Sequence, residues 1–360
     1  MQRHLQDPRV ADGVLDQAEL PVWRADVGVR RRTVALRRIQ LGVWKCRGVL
    51  RRIGGFSELP SIDFQRKSDV VSWSWTLRSG RGCTEARMSL VPKEIEQHYL
   101  QSTESKRLTN EWGELERLRT QAIVARHLPP PPAVVFDIGG AAGVYAFPLA
   151  EQGYQVHLVD PVELHLNQAR AHALESGIGL ASIAQSDARR VDVSSGSADA
   201  VLLLGPLYHL VEDSDRLQAL REARRILKPG GVLFAAAVSR FASLIDGLAR
   251  GFFRDPEFRK IVAADLASGQ HRNLTDHLEY FTTAYFHRPE DLAAEVRNGG
   301  FSDVQILAVE GPAWSATLFR EAWNDGVQRE CLMEFLSLIE LEPSVLGASA
   351  HLMAVARRPA

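Results

Sequence analysis

The sequence predicts an α/β protein in which a parallel sheet is covered by helices on both faces. From residue 133 onward, short runs rich in β-branched and apolar residues alternate with helical stretches, the pattern of repeated strand–helix–strand units. One run, VVFD at residues 134–137, ends in an acid and passes through Ile138 into a glycine-rich turn before a helix begins. Right-handed crossovers bring the C-terminal ends of such strands to one edge of the sheet, where ligands bind.

The segment 134–150, VVFDIGGAAGVYAFPLA, reads as a buried strand, a turn through Gly139, Gly140 and Gly143, and a helix from Val144. A turn of this kind lets backbone N–H groups approach a ligand closely. The dinucleotide pattern G-x-G-x-x-G would need glycine at Ala141 and Val144, and no Gly-Lys-Ser/Thr follows; neither familiar phosphate cradle is present. GYQVHLVD is a second strand ending at Asp160, followed by Pro161 and a helix over 163–176. LASIAQ is a short third strand ending before Ser186 and Asp187. ADAVLLLG is a fourth, ending at Gly205 and Pro206; a helix over 214–227 then stops at KPGG, and VLFAAAVS is a fifth. The strand DVQILAV, helices from about 316 to 342, and a last strand AHLMAVAR close the chain. Asp137, Asp160, Asp187 and Gly205 therefore line one crevice.

Two additions flank this core. Residues 93–128 carry apolar side chains at three- and four-residue spacings and are stopped by the tetraproline 129–132, which makes residues 88–132 a helical cap. Residues 239–300 form a mostly helical insertion longer than a crossover needs, and so a cover for the site. Within it, His271, Arg272, Tyr280, Tyr285 and His287 form a polar-aromatic cluster; His271 and Tyr285 are candidates to face a substrate. His287 reads as structural, at a helix start with Pro289 in the first turn and acids behind it. Tyr99 in the cap and Tyr145 after the glycine turn are candidates to close over the ligand. His165 and His172, seven apart on the helix after Asp160, read as solvent-facing, not as metal ligands, and no metal site is expected.

The 360 residues are 45% hydrophobic and 24% charged, ordinary for a soluble globular protein. The net charge of -1 argues against a nucleic-acid or membrane role for the whole chain. Charge is uneven, however: residues 1–87 carry 17 Lys+Arg against 9 Asp+Glu, and residues 88–360 carry 26 against 35. Residues 1–87 sustain neither a helical nor a strand period, so they read as a basic, poorly ordered extension. Met88, where the composition changes, is an alternative start of the protein. Cys46, Cys83 and Cys331 are widely spaced, without the pattern of a disulfide framework or zinc site, and a reducing cytoplasm is the expected location.

Taken in order, residues 133–240 resemble the class I S-adenosylmethionine (SAM)-dependent methyltransferases, and the wider chain from 93 resembles their bacterial small-molecule members with a helical cap. The resemblance implies a Rossmann-like, seven-stranded, mostly parallel sheet. DIGGAAG is similar to the family's acid-x-Gly-x-Gly-x-Gly loop beside the amino-acid part of SAM, with Ala141 in place of the middle glycine. Asp160, followed by Pro161, matches the acid that binds the ribose hydroxyls; Ser186 and Asp187 resemble the pair near the adenine. LLLGPLYHL, with Gly205, resembles the strand end that faces the transferred methyl group. An L-E-x-x-R-T helix (Leu115, Glu116, Arg119, Thr120) implies that Arg119 reaches the SAM carboxylate.

Methyl transfer from a sulfonium is an in-line displacement that alignment and exclusion of water can drive. If the acceptor is a hydroxyl, a base helps, and Tyr208 and His209 after the fourth strand are the candidates. The expected activity is methylation of a hydroxyl or amine on a small metabolite, by a monomer or homodimer. An RNA methyltransferase and a SAM-binding protein without turnover are the alternatives. The chain reads Gly205-Pro-Leu-Tyr208 where base-directed enzymes carry an N/D-P-P-Y/F motif.

Overall fold

The computed structural model describes residues 94–95 and 110–360, all within the compact unit Glu85–Ala360. The expectations for residues 1–87, for a start at Met88 and for Tyr99 lie outside the described residues.

Seven strands form one sheet: β1 (Val134–Ile138), β2 (Gln155–Asp160), β3 (Ser182–Gln185), β4 (Ala198–Leu203), β5 (Leu227–Val238), β8 (Ser302–Ala308) and β9 (His351–Arg357). Their order is β3-β2-β1-β4-β5-β9-β8. β9 runs antiparallel to both of its neighbours, and the remaining pairs are parallel. This is the Rossmann-like methyltransferase fold. The expected strands are all present, and the LKPGG stretch is drawn into the start of β5 itself.

Side chains alternate across a strand, so the central strands supply two cores at once. Phe136, Ile138, Val201, Leu203, Leu233 and Ala235 pack on one face; Val135, Ala200, Leu202, Val232 and Phe234 pack on the other. Burial on both sides is why these strands read as continuous apolar runs and not as alternating ones.

The helices α1 (Glu111–His127), α2 (Ala146–Glu151), α3 (Glu163–Ser176), α4 (Pro206–His209) and α5 (Asp213–Ile226) accompany the first five strands. Asn110 caps α1 by accepting from the Gly113 N–H at 2.9 Å, satisfying one of the orphan donors at a helix start. The four-residue α4, absent from the sequence reading, begins at Pro206, which suits a first helical position.

The insertion contains α6 (Ala242–Arg250), α7 (Pro256–Ser268) and α8 (Pro289–Asn298). It also holds a small antiparallel ribbon, β6 (Gln270–His271) with β7 (Ala284–Tyr285), so it is less helical than its composition suggested. Phe258, Ile261, Val262 and Tyr280 give it a core of its own. α9 (Phe319–Asn324), α10 (Gly326–Ile339) and α11 (Pro343–Leu346) precede β9. No helix among the described residues is long and apolar enough to cross a membrane.

Candidate active site

A cavity of about 220 Å³ opens at the carboxyl edge of the sheet. Its lining brings together Asp137, Gly139, Gly140, Tyr145, Asp160, Pro161, Asp187, Gly205, Tyr208 and His209. Gly143 shapes the turn without lining the cavity.

The turn tolerates little besides glycine at its ends. Gly139 has φ +73°, and a Cβ there would come within 2.7 Å of the Pro206 ring; its N–H donates to the Val159 carbonyl at 2.7 Å. Gly143 has φ +89°, and an added Cβ would meet Phe147 at 2.7 Å. Between them Ala141 takes φ +47°, a left-handed conformation costing an L-residue on the order of 1–2 kcal/mol. Alanine at this position thus stores strain beside the cavity, and the Ala141 N–H is directed at Asp160 Oδ2, 2.9 Å away.

Asp137 is fully buried, and neither of its carboxylate oxygens accepts a hydrogen bond from a described residue. Burial, and secondarily the neighbouring charge of Asp160, push its pKa up to about 7. A buried carboxylate left without a donor is costly, so the position suits a group that must meet a cation. Gly140 allows this closeness: a Cβ there would fall 2.5 Å from Asp137 Oδ2.

Asp160 is more occupied. Its Oδ1 accepts from the Val162 N–H at 2.9 Å and from His165 Nδ1 at 3.0 Å, and its Oδ2 from Ala141. Each carboxylate oxygen has two acceptor sites, so capacity for a further donor remains on Oδ2. His165 is therefore buried and lines the cavity, which corrects the expectation that it faces solvent. On the five-residue step from the end of β2 into α3 its ring folds back onto the acid. Asp187 is clamped by Arg189, whose Nε lies 3.0 Å from Oδ1, while Nη1 reaches Asp215 at 2.7 Å.

Several expected residues have other work. Arg119 does not line the cavity: it is buried, its Nε donates to the Val309 carbonyl at 3.0 Å, and its Nη2 pairs with Glu340. The helix face that carries Arg119 is packed against the C-terminal segment, not the glycine turn. Ser186 also lies off the cavity, its Oγ donating to the Arg190 carbonyl at 2.8 Å. His271 is buried between Asp265, 2.9 Å from Nδ1, and the Tyr280 carbonyl, 2.8 Å from Nε2. Tyr285 is covered by the Arg216 guanidinium, 3.8 Å from the ring centre. Neither His271 nor Tyr285 lines the cavities at the sheet edge, because the ribbon that carries them turns His271 into the insertion and Tyr285 under Arg216 of α5. His287 donates from Nε2 to Glu295 at 3.0 Å, a structural contact.

A second, larger cavity of about 870 Å³ adjoins the first, and Glu116 and Tyr208 line both. Its wall is rich in apolar and aromatic groups, among them Trp112, Ile245, Phe258, Phe281, Phe286 and Trp314. Glu116, Glu310 and His351 present ligand-type atoms within 4.8 Å of one another at this wall. None of the three stands out in the sequence as a site residue. Only Glu116 left a signal, since it shares the L-E-x-x-R-T helix with Arg119.

A nucleotide-scale cavity, a glycine turn and an acid closing each of the first two strands define a class I methyltransferase site. The methyltransferase-domain family profile matches residues 135–231. A ubiquinone biosynthesis O-methyltransferase of Xanthomonas axonopodis pv. citri is 30% identical over 201 residues, covering 55% of this chain and 72% of that protein. One of the same name from Sodalis glossinidius is 33% identical over a shorter stretch, 29% of this chain and 41% of that protein. The chain belongs to the SAM-dependent methyltransferase family, and it is an enzyme of small-molecule methylation. Among solved structures, a Haemonchus contortus phosphoethanolamine N-methyltransferase in complex with S-adenosylhomocysteine has a TM-score of 0.48 at 16% identity, covering 75% of this chain and 61% of that one. A possible histamine N-methyltransferase from Thermotoga maritima has 0.44 at 18%, covering 74% and 99%.

Proposed function

We propose that the glycine-turn cavity binds SAM and that the adjoining cavity holds an aromatic small molecule whose hydroxyl accepts the methyl group. The observation that carries this is Asp137: a buried carboxylate with no donor among the described residues, on a cradle where a Cβ at Gly139 or Gly140 would collide. That arrangement suits the ammonium of an amino-acid tail. SAM supplies an electrophilic methyl group on a sulfonium.

The chain's own residues position and enclose. Asp137 holds the cationic tail, the open acceptor capacity of Asp160 Oδ2 receives a ribose hydroxyl, and Tyr145, Pro161 and Gly205 contribute cavity walls. Asp187, tied to Arg189, lines the same cavity. Tyr208 stands where the two cavities meet, so it bounds the path from methyl donor to acceptor. The aromatic part of the acceptor cavity's wall would shield the reacting atoms from water, which favours a displacement driven by alignment.

The hydroxyl assignment is supported by the O-methyltransferase names of the relatives, and the aromatic assignment by the wall of the larger cavity. A small metabolite, not nucleic acid, is the partner in this reading, with the protein acting as a monomer or homodimer in the cytoplasm. Methyl-labelled SAM should be offered with catechol or with phenethylamine. Label is expected in catechol; label in the amine alone would overturn the hydroxyl assignment.

A further inference from the structure

The structure assigns His351, held by Glu310, as the general base that removes the acceptor's proton; this rests on the reading of the larger cavity as the hydroxyl-acceptor site. β9 is the antiparallel strand of the sheet, and its first residue, His351, pairs with Val238 at the end of β5. Ala308 at the end of β8 pairs with Leu352, so Glu310, two residues further on, reaches the same point. The start of the antiparallel strand β9 and the end of β8 thus bring an imidazole and a carboxylate to the edge where the parallel strands present Asp137 and Asp160.

The contacts are those of an oriented base. His351 Nδ1–H donates to Glu310 Oε1 at 2.5 Å. Glu310 Oε2 accepts from Ser349 Oγ at 2.9 Å and from the His351 backbone N–H at 3.0 Å, and the Glu310 side chain is buried. A carboxylate that only accepts fixes the proton of neutral imidazole on Nδ1, leaving Nε2 as the basic nitrogen. Glu310 is also placed to stabilise the imidazolium once formed, the division of labour seen in hydrolytic triads. The ring lines the larger cavity, and its Nδ1 lies 3.9 Å from Oε2 of Glu116, which lines both cavities.

Other charged groups face the dyad from several elements. Glu116 approaches from α1, and Glu111, Asp246, Arg250, Glu279 and Arg320 stand around the same cavity. In the step itself the acceptor oxygen bonds to the methyl carbon, the carbon–sulfur pair leaves with sulfur, and the hydroxyl proton moves to His351 Nε2, later to water. His351 is the catalytic residue and Glu310 a positioning residue.

The test compares wild type, His351→Gln and Glu310→Gln on catechol with labelled SAM across pH, with calorimetric SAM affinity and imidazole nitrogen NMR beside it. His351→Gln should lower kcat about 100-fold and remove the alkaline-rising limb of the pH profile, with SAM affinity unchanged. Glu310→Gln should move that limb to lower pH. Wild type that leaves catechol unlabelled refutes the hydroxyl reading, whereas active wild type with an equally active His351→Gln refutes the base alone. NMR needs no turnover: protonated Nδ1 supports the assignment, and protonated Nε2 in the neutral ring overturns it. Activity lost on chelation and restored by magnesium would make Glu116, Glu310 and His351 a cation site and overturn it too.

Discussion

Arg119 is joined to Glu340, 221 positions further along the chain, and its Nε is given to the carbonyl of Val309. The pair ties α1 to the segment between α10 and β9, and Arg126 joins Glu340 from the next turn of the same helix. Removing one partner strands a buried charge, which costs about 3–5 kcal/mol. Arg119→Ala should therefore lower thermal and urea stability by that order while leaving SAM affinity of the folded protein within about twofold, a difference of about 0.4 kcal/mol. A large affinity loss with unchanged stability would return Arg119 to the cofactor.

Ala141 offers a substitution in the opposite direction. Glycine relieves its left-handed backbone, offset partly by the chain entropy glycine loses on folding. Ala141→Gly should raise stability by about 0.5–1 kcal/mol, read as a higher Tm. Gly139→Ala should lower it, because φ is +73° and the new Cβ would press on Pro206. An Ala141→Gly protein no more stable than wild type contradicts the strain assignment.

Under the proposed SAM assignment, Asp137 makes cofactor binding depend on pH. Its folded pKa of about 7 lies above the ordinary 3.8, so between these values the folded protein holds a proton that the unfolded chain has released, and stability falls as pH rises through that window. A cationic ligand favours the carboxylate. SAM affinity should therefore increase from about pH 5 to pH 8 with proton release on binding below pH 7, measured by calorimetry in buffers of different ionisation heat. Asp137→Asn should bind weakly and lose the pH dependence.

The insertion is fastened by Glu295, which accepts from Arg216 Nη2 at 2.7 Å and from His287. Burial opposes its ionisation, but these hydrogen bonds and charges win and hold its pKa at about 2, below the ordinary 4.5. That stabilisation is complete above pH 4.5 and is lost as pH falls toward 2. Burial lowers the pKa of His287 from 6.5, so the neutral ring contributes stability above 6.5 that is lost on acidification. Both changes point the same way and oppose the contribution of Asp137 between pH 7 and 3.8, so the clasp is read in the variant: Glu295→Gln should lower Tm at neutral pH and flatten the acid limb below pH 4.5. An unchanged acid limb in that variant would show that the clasp does not set it.

The sheet was legible because its information is local. Each central strand buries both faces, so its residues form an apolar run, and Asp137 and Asp160 stand out as the acids that end such runs. The glycine turn was legible for the same reason. What the sequence concealed depends on distant pairing. Glu340 could not be matched to Arg119 across 221 positions, nor could Glu310 and His351 be joined before the register of β8 on β9 placed them together. His165 escaped because the chain folds back over the strand end, bringing its ring to Asp160. His271 and Tyr285 were nominated on composition, whereas the ribbon geometry directs them to Asp265, Tyr280 and Arg216. The cost of Ala141 lies in its backbone angle, which the residue type does not reveal.

The proposed SAM site over the glycine turn rests on its buried carboxylate meeting the ligand's positive charge. Calorimetric titration of the full chain with SAM, beside Asp137→Ala, tests it most directly. One SAM per chain bound by the wild type, and affinity reduced at least about 100-fold in a variant that still unfolds cooperatively, is the predicted result, a difference of about 2.7 kcal/mol. Equal affinity in the two proteins would contradict it.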